Sequence, residues 1–152
     1  MATQYCSKHG IVSRPPYELY LSFSDMRNFL NMLPEDKKQG VTADFDTIDA
    51  TVQGFHIGIR VKSRVPYSRI EVEDQDAPFH FQVSLHFDPA NQPFRTDFHI
   101  EVSAEMNLML KMVLGSKIQG ALDKVVDSLV DISEGRMPEG IDPSQFPSGF
   151  GR

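Results

Sequence analysis

Residues Phe79–Phe87 read FHFQVSLHF, and residues Phe94–Val102 read FRTDFHIEV. In the first stretch Phe79, Phe81, Val83, Leu85 and Phe87 alternate with His80, Gln82, Ser84 and His86. In the second, Phe94, Thr96, Phe98, Ile100 and Val102 alternate with Arg95, Asp97, His99 and Glu101. A period of two sends the two sets to opposite faces of an extended chain, so these are strands with one face buried and one wet. The turn-rich DPANQP between them closes an antiparallel pair. The same period extends upstream. Ile70 and Val72 alternate with Arg69, Glu71 and Glu73, and Val65-Pro66 turns the chain back. Before that turn, Phe55, Ile57, Ile59 and Val61 alternate with His56, Gly58, Arg60 and Lys62. Gly54 marks a further turn, preceded by Ile48, Ala50 and Val52 and, across an expected bulge, by Val41, Ala43 and Phe45. Strands joined by short polar turns make an antiparallel meander.

Helical periods flank this block. Ile11 and Val12 read as a short opening strand, closed by Pro15 and Pro16, while residues 1–6 carry no pattern and read as frayed. From Pro16 to Leu33, apolar residues recur every three or four positions, and Ser24-Asp25 reads as an N-cap restart that splits the segment into two short helices. The charged EDKKQG stretch reads as an exposed loop. From about Glu105 to Ser133 a long helix is expected, roughly 40 Å at 1.5 Å per residue. Leu110, Val113, Ala121, Val125, Leu129 and Ile132 form its expected inward stripe. Its start, MNLMLKMVLG, is apolar almost all round, and Gly115 and Gly120 interrupt it. The Gly/Pro-rich tail, 135–152, is expected to be extended or disordered, leaving one domain over 1–134.

Composition sets outer limits. With 152 residues the chain suits one domain, and 40% hydrophobic residues suffice for a core. Fifteen Lys plus Arg against 21 Asp plus Glu leave a net charge of −6, which argues against nucleic acid as partner. One cysteine, Cys6, allows no intramolecular disulfide and no cysteine-based zinc site. The opening MATQYCSKHG lacks the apolar core of a signal peptide, and no run approaches the 18 apolar residues of a membrane span. A soluble, cytoplasmic protein is the expectation. No GxSxG, Walker-type or GxGxxG pattern occurs.

The order of elements, a strand, two short helices, about six to seven antiparallel strands and one long C-terminal helix, resembles the helix-grip fold of the START-like superfamily, which includes polyketide cyclases and the Bet v 1-like plant allergens. The opening IVSRPPYELYLSFSDMRNFLNMLP is similar to that superfamily's first strand, proline, aromatic-bearing helix, Ser-Asp pair and closing Leu-Pro. The resemblance covers about Cys6 to Glu134. It implies an α+β domain whose curved sheet wraps the long helix and leaves a cavity for an apolar ligand. The all-round apolar start of the helix departs from the pattern.

On that reading the ligand-facing residues are Phe55, Ile57, Ile59, Phe81, Val83, Leu85, Thr96 and Phe98 from the sheet, with Met106, Met109, Leu110 and Val113 from the helix. Eleven Phe and seven Met suit an adaptable apolar wall. The same residues would equally fill a cavity-free core. Ser63, opposite Ser68, and mid-strand Thr96 are the polar groups in inward register. Tyr17, Tyr20 and Tyr67 could bring hydroxyls to a cavity mouth. His80 and His86 lie about 20 Å apart along one strand, too far to share an ion, so no metal site is expected. If Phe87 pairs with Phe94, His80 faces Glu101 and His86 faces Arg95. Glu71 and Glu73 face Arg60 and Lys62 outward. No inward position carries a general acid or base, so no catalytic residue and no cofactor is expected. Three functions follow: binding of an apolar small molecule such as a lipid, isoprenoid or polyketide-like compound; a cyclase/aromatase-type enzyme, if a one-residue slip turned His80, His86, Asp97 and His99 inward; or an interaction module with a filled core and an exposed patch around Leu108, Met112 and Leu114. The Met106–Gly115 face is a possible homodimer contact.

Overall fold

The computed structural model describes residues 2–32, 38–52, 54–92 and 94–135, with the side chains of Met32, Val52 and Phe55 set aside. The tail beyond Gly135 and the first half of the EDKKQG loop lie outside the described residues. Among the described residues, eight strands and three helices follow one another as β1 (Thr3–Cys6), β2 (Gly10–Val12), α1 (Pro16–Ser24), α2 (Arg27–Met32), β3 (Val41–Ala43), β4 (Thr47–Val52), β5 (Phe55–Val65), β6 (Arg69–Asp76), β7 (His80–Pro89), β8 (Thr96–Glu105) and α3 (Leu108–Ser133). The strands form one antiparallel sheet in the order β1-β8-β7-β6-β5-β4-β3, and β2 pairs with the other end of β8. This is the α+β helix-grip arrangement that the order of elements implied.

The chain's start departs from the sequence reading in one respect and follows it in another. Residues Thr3–Cys6 are not frayed but pair with Glu101–Ala104 of β8. Ser7 bridges this strand to β2, its hydroxyl accepting the Ile100 amide at 2.8 Å while its own amide donates to the Ile100 carbonyl. The helical pair breaks where Ser24-Asp25 suggested: Asp25 Oδ1 accepts the Arg27 amide at 3.0 Å and starts α2.

Register departs in two places, with opposite consequences. Phe94 is a turn residue at φ 64, β8 starts only at Thr96, and Phe87 pairs with Phe98 rather than Phe94. His80 therefore faces Glu105, and His86 faces His99. The slip is four residues, an even number, so every side chain keeps its face. Between β5 and β6 the slip is odd. A bulge at Lys62 lets Val61 pair with Val72 while Ser63 pairs with Glu71. Ser63 thus leaves the inward face, donating to Glu71 Oε1 at 2.9 Å, and Arg64 takes the inward register opposite Ile70. The hairpin then closes over three residues, with Tyr67 at φ 63, so Ser63 and Ser68 are not partners. The outward pair of Arg60 and Glu73 forms as expected, at 2.7 Å.

The core gathers under both helical elements. Phe23 of α1 stacks on Phe87 and Phe98, with ring centroids 6.1 and 6.2 Å away. Leu19, Ile70, Leu85 and Ile100 complete this buried patch. The C-terminal half of α3 crosses the β1–β2–β8 edge, burying Val126, Leu129 and Ile132. Gly10 makes that approach possible, since a Cβ there would meet Val126 Cγ1 at 2.6 Å.

Candidate functional site

The candidate site is built from the inward apolar side chains of α3 and of strands β4–β8. On the helix, Asn107 starts the first turn by accepting the Leu110 amide at 2.9 Å. This N-cap was readable as Asn before an apolar run, and it puts the helix start later than the expected Glu105. The inward stripe is Leu110, Leu114, Ile118 and Leu122, continued by Val126 and Val130. Val113, Ala121 and Val125 of the expected stripe are exposed instead. The first half of the helix is apolar all round and offers no phase of its own. Stepping back from Val126 by four residues at a time recovers the observed face.

From the helix start to Leu122, the inward Leu110, Leu114, Ile118 and Leu122 are only half-buried. The same holds for the sheet residues of β4, β5 and β7 with inward register, Ile48, Ile57, Ile59, Val61, Phe81 and Val83. Leu85, Phe98, Thr96 and Met106 are buried beneath them. Met109 and Val113 stand out of the face, 75% and 55% exposed. The Phe55 side chain lies outside the description. Gly115 faces Tyr5, whose hydroxyl would sit 3.1 Å from a Cβ there, and Gly120 faces open space.

The polar groups of the concave side are committed to structure. Thr96 Oγ1 donates to the Arg14 carbonyl at 2.7 Å, which fixes β8 to the start of α1. The inward Arg64 donates to the carbonyls of Ser24 and Phe45, pairs with Asp46 at 2.9 Å and lies over the Phe45 ring. It clips the end of α1 and the turn between β3 and β4 to β5, a role hidden from the sequence by the bulge at Lys62. Tyr20 is buried with its ring edge on Tyr67, while Tyr17 is exposed. Asp74 shares the register of inward Ile59, but at the strand end. Burial pushes its carboxyl up, and the Phe81 amide with His80 outweighs that and holds it below the usual carboxylate range. His80, Asp74 and Glu105 line a recess of about 400 Å³ at the sheet's end, and Phe81 of the apolar set lines it with them. His86 and His99 point outward from the face that holds Leu85, Phe87, Phe98 and Ile100.

No helix of the described residues is long and apolar enough to cross a membrane. No family model matches the sequence, and no curated protein matches it. Solved structures match in fold. Norcoclaurine synthase from Thalictrum flavum is similar with a TM-score of 0.62 at 12% identity, over 86% of this chain and 85% of that one. A protein from Thermobifida fusca solved in solution is similar with a TM-score of 0.62 at 12% identity, over 84% and 89%. A START superfamily protein from Mycobacterium smegmatis is similar with a TM-score of 0.57 at 15% identity, over 83% and 98%. At these identities the likeness concerns fold and not activity. The strand order, the paired short helices and the long closing helix, together with these likenesses, give this chain the START/Bet v 1-like fold.

Proposed function

We propose that this chain is a cytoplasmic, non-catalytic carrier or sensor that binds one apolar small molecule, of the lipid, isoprenoid or polyketide-like class, between the N-terminal half of α3 and β4–β7. A single helix-grip domain over 1–134 performs this function. The observation that supports the reading is two sets of inward apolar side chains left half-buried, Leu110, Leu114, Ile118 and Leu122 on α3 and Ile57, Ile59, Phe81 and Val83 on the sheet. Leu85, Phe98 and Met106 form the floor, and Met109 and Val113 the rim at the helix start. A guest that covers these surfaces gains about 25 cal/mol for each Å² of apolar area removed from water. Thr96 spends its proton on Arg14, so its hydroxyl offers the guest at most an acceptor lone pair. Affinity therefore rests on shape and burial more than on polar contacts.

The test is native mass spectrometry after incubation with a total lipid and metabolite extract of the source cells. One discrete added mass per chain is the expected result. Persistently bare protein contradicts the reading, and a bare dimer transfers the function to the exposed Leu108, Met109, Met112 and Val113 of the Met106–Gly115 face.

A further inference from the structure

The outer face of the sheet carries a cluster that the apolar site does not use. His86 and His99 are direct partners across β7 and β8, their rings parallel at 4.4 Å between centroids. His9, in the segment between β1 and β2, stacks on the other side of His99 at 4.2 Å and pairs with Asp97. Glu101 lies two residues beyond His99 on the same face, opposite Cys6. Its Oε1 stands 2.9 Å from His86 Nε2 and 3.3 Å from His99 Nε2. The His86 contact has an ion-pair distance but not hydrogen-bond geometry, and His86 Nε2 is buried with no hydrogen-bond partner.

We propose that His86, His99 and Glu101 form a divalent transition-metal site, with two imidazole nitrogens and one carboxylate oxygen as protein ligands and water in the remaining positions. Three observations support it. The ligand atoms of the three residues all lie within 4.8 Å of one another. Metal–nitrogen and metal–oxygen bonds near 2.0–2.1 Å set neighbouring ligands about 3.3 Å apart in a tetrahedral site, a spacing these side chains reach by turning their rings on a fixed backbone. Second, both histidines sit on adjacent, fully paired strands, so the backbone holds them in place before any ion arrives. Third, His86 Nε2 is a buried acceptor or donor without a hydrogen bond, and an ion would satisfy it. Arg69, the partner of His86 on β6, adds a positive charge that opposes a cation. An N₂O donor set suits zinc, nickel or copper and not calcium or magnesium. The stacked rings must rotate so that their nitrogens converge, and binding therefore breaks the stack.

His99 also belongs to a second group with Cys6 and His9. That group is the weaker site. Burial, followed by Glu101 and Asp123, holds the Cys6 thiol above its ordinary value, away from the thiolate a metal takes.

The experiment titrates the full chain with Zn²⁺ and Ni²⁺ by calorimetry, and records electron paramagnetic resonance of one equivalent of Cu²⁺. One ion per chain is expected. His86→Ala and His99→Ala should each weaken binding at least about tenfold. Cys6→Ser, His9→Ala and His80→Ala should leave it unchanged. The Cu²⁺ spectrum of the wild type should show two coupled imidazole nitrogens, which decides the matter even if a histidine variant fails to fold. Unchanged binding in His86→Ala, loss in Cys6→Ser, His9→Ala or His80→Ala, fewer than two imidazoles on copper, or no binding at all would each overturn the site.

Discussion

The two halves of α3 lie on the same sheet and differ in almost every physical respect. From Gln119 onward the helix is fastened. Gln119 Nε2 donates to the Cys6 carbonyl at 2.9 Å, Asp123 accepts the Lys8 amide at 2.7 Å, and Ser133 Oγ accepts the Ser13 amide at 2.9 Å. Val126, Leu129 and Ile132 are at most 6% exposed along this half. Before Gln119 the cap at Asn107 is local to the helix, Leu108, Met109 and Met112 are 73–75% exposed, and the inward leucines are half-covered. The difference separates two uses of apolar side chains. Val126, Leu129 and Ile132 hold the fold together; the apolar side chains from Leu108 to Leu122 are left for something else to cover.

Truncation should break this contrast most visibly. Leu129→Ala leaves a cavity in a closed interface and should cost about 2–5 kcal/mol in urea unfolding. Leu114→Ala, at a half-covered position, should cost clearly less. Equal losses would mean that the two halves are packed alike. Next in size is Gly10→Ala, whose Cβ would press on Val126 Cγ1 and Val130 Cγ2 at 2.6 and 2.8 Å. Overpacking of this kind costs about 1–3 kcal/mol, and Val126→Ala in the same chain should recover part of it.

Asp25→Ala removes a helix cap that owes nothing to α3 and should cost about 1 kcal/mol at neutral pH. The Arg27 side chain, with its amide, holds the Asp25 carboxyl below its ordinary value, against burial. Because the folded value is the lower one, this contribution is complete above about pH 4 and is lost as pH falls through the folded value. The gap between wild type and variant should narrow in melts taken at falling pH; a gap constant across that range would contradict the assigned partner. The smallest effect is expected at Met112→Gln, within about 0.5 kcal/mol of wild type, because its side chain already stands in solvent.

Much of the fold was legible because strand parity survives even errors. Pairing Phe87 with Phe94 differs from the observed Phe87–Phe98 pair by four residues, yet Phe81, Leu85, Phe98 and Ile100 stay on the inner face, since an even slip preserves the alternation. What was lost came from odd shifts and from silence. The bulge at Lys62 moved Ser63 out and Arg64 in, and no residue type there announces it. The β1 strand has four residues, too few for a period to show. In the candidate site, the sheet side was readable by alternation and the helix side was not, because MNLMLKMVL is apolar at every phase. Its true face is set from a distance, by the fastened half and the close approach at Gly10. The cluster of His86, His99 and Glu101 was hidden by the same four-residue slip, which had put Arg95 opposite His86.

The most direct measurement is methyl-detected NMR of Ile, Leu and Val side chains during titration with a long-chain fatty acid as apolar probe. Shifts concentrated at Leu110, Leu114, Ile118, Ile59 and Val83, with Val126, Leu129 and Ile132 unmoved, are the expected result. Shifts confined to exposed Leu108 and Val113, or no shifts at all, would contradict a ligand held between the first half of the helix and the sheet.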